Sequence, residues 1–126
     1  MKNIIKKLIE IERDSAAEKG DYELFALFLR EESIGRWDIV VYSEWAYRDY
    51  PNSQSYLAKK IQNSLSADEI IQISRVVVLE QADLELPDFI QNMNVQHGVA
   101  MIKDEEFLGQ QIERGYIITA NTQHAA

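Results

Sequence analysis

Two apolar, β-branched runs end in groups able to hold a proton or a hard cation. Trp37-Asp38-Ile39-Val40-Val41-Tyr42 is followed by Ser43, Glu44 and Trp45, and Ile73-Ser74-Arg75-Val76-Val77-Val78-Leu79 is followed by Glu80, Gln81 and Asp83. In an open α/β sheet, ligands gather beyond the C-terminal ends of parallel strands. Glu44 and Glu80 are therefore candidates for a carboxylate pair that shares a proton or binds a cation, and Lys103 and Asp104 could follow a third strand. The plainer reading has both glutamates solvating strand ends, as carboxylates generally prefer the surface.

Asp38 and Arg75 lie inside apolar strands, where an isolated charge is costly to bury. Either they pair in a buried or half-buried site, or each points to the wet face of a one-sided sheet; the second is the expectation. His97, in Asn94-Val95-Gln96-His97-Gly98, is a candidate general base, though a lone loop histidine is expected to face solvent. The catalytic candidates are thus Glu44, Glu80, Asp38 and His97. Trp45, Tyr47 and Tyr50 with Arg48 form an aromatic group placed in a loop after a strand, and such residues are favoured anchors of protein interfaces.

Most named chemistries fail on residue content. The five glycines are never clustered, so no phosphate-wrapping loop can form, and neither Gly-x-Ser-x-Gly nor His-Glu-x-x-His occurs. With only His97 and His124, a histidine-based metal site gains at most one well-placed imidazole. Asp83-Leu84-Glu85-Leu86-Pro87-Asp88 has proline and no glycine where a calcium loop needs its turn. No metal and no cofactor is expected. Gly35-Arg36-Trp37-Asp38-Ile39-Val40 supplies one aspartate of the minimal nucleotidyltransferase pattern, but Val40 stands at the second position. Glu80-Gln81-Ala82 lacks the lysine that restriction-type nucleases need. Neither family is adopted.

The elements that must position these groups can be read from periodicity. Ile4, Ile5, Leu8, Ile9 and Ile11 predict an amphipathic helix over 2–19, stopped by Gly20. Residues 22–30 are apolar on all sides, which suits a buried central strand paired antiparallel with 37–43; a helix is the rival, because Leu, Ala, Glu and Arg favour it intrinsically. Leu57, Ala58, Ile61 and Leu65 place a helix over 55–65, after an irregular stretch 46–54, and Ser66 with Glu69 forms a capping box before the Ile73 strand. Pro87 opens a short helix near 87–93, and 99–102 and 116–119 are strands. Residues 104–114 fit a helix through Phe107, Leu108, Gln111 and Ile112; a hairpin turning near Leu108-Gly109 is the rival, because Gly109 weakens the helix. An apolar strand near 116–120 could form an exposed edge that mediates dimerisation.

The expected architecture is one α/β (α+β) domain over 1–120, with an N-terminal amphipathic helix and a mixed sheet of four or five strands flanked by helices, then a flexible tail over 121–126. The net charge is -8, and residues 76–106 hold seven acids against one lysine. Such charge repels phosphate backbones, so direct nucleic-acid binding is not expected. Absence of cysteine removes thiolate chemistry and fits a reducing cytosol. No membrane span or secretion signal is expected, and the location implied is cytoplasmic. The functional expectation is a non-enzymatic module that binds a protein partner or its own copy; the alternative is a small enzyme or ligand-binding domain with an acidic cleft at the strand C-terminal ends.

Overall fold

The computed structural model describes residues 1–80 and 86–121. Its centre is a five-stranded mixed sheet in the order β3-β2-β1-β5-β4. The strands are β1 (Leu24–Arg30), β2 (Trp37–Tyr42), β3 (Ile73–Val78), β4 (Ala100–Phe107) and β5 (Gln110–Ala120). β1 has β2 and β5 on its two sides, which explains a strand whose side chains are buried on both faces. Among the described residues β2 and β3 are parallel, and every other named pair is antiparallel.

One face of the sheet carries the helices α1 (Lys2–Lys19), α2 (Glu44–Arg48), α3 (Asn52–Ser64) and α4 (Ala67–Ile70). Ile4, Leu8 and Ile11 of α1 and Leu57 and Ile61 of α3 pack there against Phe25, Leu27, Ile39, Val41, Val76 and Ile118. Alternation sends Leu24, Ala26 and Phe28 of β1, and Val40 and Tyr42 of β2, to the opposite face. Among the described residues that face is covered more thinly, by Leu86, Ile90 and Phe107. Ile90 lies on the short helix α5 (Asp88–Gln91). The capping box at Ser66 and Glu69 is present, with the Ser66 N–H donating to Glu69 Oε1 at 2.8 Å and the Glu69 N–H donating to Ser66 Oγ at 3.3 Å.

The sequence expectations are corrected at four places. Residues 104–114 are not a helix but the end of β4 and the start of β5. Leu108 and Gly109 turn the chain with φ of 49° and 84°, as a two-residue type I′ hairpin demands. Lys103 and Asp104 therefore sit inside β4, at the sheet edge, rather than beyond a strand end. Residues 116–120 do not make an edge strand, because β5 runs between β1 and β4 and Ala120 bridges to Val95. The stretch after β2 is not irregular at its start: α2 begins at Glu44 and places Trp45, Tyr47 and Arg48 on a helix. Gln81 and Asp83, and residues 122–126 of the expected tail, lie outside the described residues.

Candidate functional site

On the thinly covered face, three charged side chains stand in a row across β1, β2 and β3. Asp38 is the Cα partner of Phe28 on β1 and of Arg75 on β3. Arg30, two residues past Phe28, reaches the same carboxylate diagonally, within the range of diagonal neighbours in a sheet. Its Nε donates to Asp38 Oδ2 at 2.6 Å. Arg75 adds Nη2 to Oδ2 at 3.4 Å and Nε near Oδ1 at 3.4 Å. Asp38 is 3% exposed, whereas the Arg30 and Arg75 side chains are 21% and 51% exposed. This overturns the expectation of a wet face for Asp38: strand alternation puts it with Val40 and Tyr42 on the side that Phe107 and Ile112 close.

The row forms the polar end of a cavity of about 120 Å³. Its apolar wall is Phe28, Val40, Val77, Leu79, Phe107 and Ile112. The wall is fixed from below, because Gly115 lies under the ring of Phe28: a Cβ there would come within 2.8 Å of Phe28 and of Ile102. Phe28 in turn packs on Phe107 with ring centroids 4.9 Å apart. Among the described residues, none donates a hydrogen bond to Asp38 Oδ1. Its contact with Arg75 Nε is an ion pair by distance without hydrogen-bond alignment. A buried acceptor left so costs about 1–3 kcal/mol.

The candidate carboxylates Glu44 and Glu80 do not share a buried site. Glu44 and Glu80 are exposed, and Glu44 is held by Arg48 at 2.6 Å, one helical turn away. Ser43 is buried and caps α2, accepting the Ala46 N–H at 3.1 Å. Trp45 points inward: its ring meets Tyr22 and Tyr56 edge-on at 5.7 and 5.8 Å and lies over Gly20. Tyr47 and Tyr50 remain at the surface, 38% and 39% exposed.

His97 is not a solitary solvent-facing residue. Its Nδ1 hydrogen-bonds Oε1 of Glu12, a buried carboxylate on α1. Thr119 Oγ1 donates to Glu12 Oε2 at 2.9 Å and accepts the His97 backbone N–H at 3.1 Å. Ser15 and Tyr22 continue the buried polar cluster, their hydroxyls 2.8 Å apart. Burial pushes the Tyr22 hydroxyl well above the ordinary tyrosine range; the bond to Ser15 opposes this and the nearby Glu12 adds to it. A carboxylate on Nδ1 fixes the ring and leaves Nε2 for other partners, and the imidazole is 35% exposed.

Arg30, Glu12 and Thr119 were not singled out from the sequence. Arg30 carried a readable signal, since it continues the Leu24, Ala26, Phe28 alternation onto the same face as Asp38. Glu12 and Thr119 are 107 residues apart in the chain, and no local pattern joins them. Among the described residues no helix is long and apolar enough to cross a membrane, and no three His, Cys, Asp or Glu side chains gather as metal ligands. No protein-family model, curated protein or solved structure matches the chain.

Proposed function

We propose that this protein is a small-ligand-binding domain whose site is the cavity between β1, β2, β3 and the β4–β5 hairpin. The observation that carries this reading is the buried Asp38 carboxylate, paired with Arg30 and Arg75, in the wall of an otherwise apolar cavity. A mostly apolar hollow with a few convergent polar groups is the usual form of a small-molecule site. The polar end of the site lies toward the N-terminal ends of β2 and β3, because Asp38 and Arg75 are early residues of those strands, and the apolar wall runs on to Leu79 just past β3. Amide NMR shifts on adding small amphipathic molecules test the proposal. Val40, Val77, Phe107 and Ile112 should move together, and Val77→Phe, which fills the hollow, should abolish the response. Binding that survives Val77→Phe would place the site elsewhere.

A second reading is supported by Tyr47, Tyr50 and Arg48, which stand exposed together on and just after α2. Tyrosine and arginine are favoured interface anchors, and the occupant in this reading is a protein partner or a second copy of the chain. Trp45, packed on Tyr22 and Tyr56, contributes support from beneath rather than contact area. Light scattering with size exclusion, on the parent and on a Tyr47→Ala/Tyr50→Ala variant, tests self-association.

A further inference from the structure

The direction in which the cavity passes from charged to apolar bears on the class of molecule it takes. We propose that the ligand is a small aliphatic monocarboxylate, its carboxylate accepting from the N–H groups of Arg75 and its tail lying along the strands toward Val77 and Leu79. This rests on the cavity being the ligand site.

Strand alternation lays this gradient down on three strands. Residues two apart share a face of a sheet and sit about 7 Å apart along the strand. β1 carries Arg30 beside Phe28, β2 carries Asp38 beside Val40, and β3 carries Arg75 beside Val77, all lining the cavity. Because β1 runs opposite to β2 and β3, each charge lies on the same side of its apolar neighbour. Leu79, just past β3, extends the apolar line by two more residues. A molecule with a charged head and a short tail matches this order when it lies parallel to the strands.

The charge that a ligand can reach is positive. Asp38 is buried, with Oδ1 closed off from solvent, so it holds the guanidinium groups from beneath and is not offered to a ligand. Arg30 donates to it at 2.6 Å. Arg75 meets it only at 3.4 Å, is half-exposed, and has no other ion-pair partner among the described residues. Two guanidinium groups against one carboxylate leave a single positive charge in excess, which a monoanion cancels. Glu31 and Glu32 line an adjoining hollow with Arg30 and do not line this cavity. The planar fork of Arg75 suits a carboxylate, which takes two parallel N–H···O bonds. Volume limits the tail. A cavity of about 150 Å³ accepts benzene, so the 120 Å³ here suits a branched chain of roughly four or five carbons.

Calorimetric titration with matched probes tests this: isocaproate, its neutral amide, isohexylamine, isoamyl phosphate, and acetate, which has the head without the tail. Isocaproate should bind roughly tenfold or more tightly than each of the others, the factor of a charge-assisted hydrogen bond or of several buried methylenes. Arg75→Gln should bring isocaproate down to the affinity of the amide and leave the amide unchanged. Val77→Phe, at a half-buried position, should remove binding of every probe with a tail; should that variant fail to fold, Arg75→Gln at the half-exposed end still decides. The amide or the amine binding as tightly as isocaproate overturns the anion, and the phosphate ester binding most tightly overturns the carboxylate. In those cases, loss of binding in Val77→Phe means that the ligand class falls while the cavity stands. Acetate binding as tightly as isocaproate overturns the tail. If no probe binds and apolar fragments leave the amides of Val40, Val77, Phe107 and Ile112 unmoved, both readings fall.

Discussion

Asp38 and Arg75 face each other as Cα partners across the parallel β2–β3 pair, yet they differ sharply in burial: 3% exposed for the aspartate, 51% for the arginine side chain. The asymmetry sets what each contributes. The carboxylate holds two guanidinium groups apart and is itself out of water, while Arg75 keeps much of its hydration.

Asp38→Asn is therefore expected to cost about 3 kcal/mol, the loss of the charged partner of a buried pair. Arg75→Gln should cost less than about 1 kcal/mol, as for a half-exposed ion pair. Urea unfolding of the two variants checks the ranking. Equal costs would mean that Arg75, not Arg30, is the main partner of Asp38.

The strand core of this fold was partly legible. The strand at 37–42 was clear, whereas residues 22–30, apolar on all sides, define no helix face and yet hold residues that favour helix; pairing with 37–42 is what makes them a strand. The β4–β5 hairpin was ambiguous because Phe107, Leu108, Gln111 and Ile112 also satisfy helical spacing; Gly109 decides it by adopting a positive φ. The cavity row was half legible. Asp38 and Arg75 were visible as charges inside apolar strands, but their common face depends on the register of β2 against β3, which the hydrophobic pattern of two doubly apolar strands does not fix. Glu12 and His97 could not be paired from sequence at all, because only the packing of α1 against the end of β5 brings them together.

Glu12→Gln and His97→Ala probe that packing. Glu12 receives hydrogen bonds on both oxygens, so either substitution leaves buried polar groups short of a partner. Each should destabilise by about 1–3 kcal/mol. The double variant should cost clearly less than the sum, since both changes break one shared bond. Additive costs in thermal or urea unfolding would show that His97 does not act through Glu12.

Trp45 and its neighbours Tyr47 and Tyr50 should separate in a stability measurement. Trp45 fills the space between Tyr22, Tyr56 and Gly20, so Trp45→Ala should cost about 3 kcal/mol, the low end for truncating a large aromatic. Tyr47→Ala and Tyr50→Ala, at the surface, should stay within about 0.5 kcal/mol. Any loss of association in a Trp45 variant must be judged against its loss of fold. Loss in the tyrosine variants, with stability unchanged, would instead support an interface.

The buried hydroxyl of Tyr22 gives the fold a dependence on alkaline pH whose sign can be worked out. In the unfolded chain a tyrosine releases its proton near pH 10. In the fold, burial holds the Tyr22 proton to higher pH, with Glu12 reinforcing the effect and the Ser15 bond opposing it. Between those two values the unfolded state binds fewer protons than the folded one, so raising the pH favours unfolding. The contribution is fully present below pH 10 and is lost as pH climbs toward the folded value. The slope from this residue should approach about 1.4 kcal/mol per pH unit. Unfolding free energies measured from pH 9 to 11.5 should fall for the parent and fall less steeply for Tyr22→Phe. Tyr56, raised by burial and by its hydrogen bond to Glu18, should keep part of the slope in that variant. An unchanged slope in Tyr22→Phe would mean that water reaches the Tyr22 hydroxyl in the folded protein.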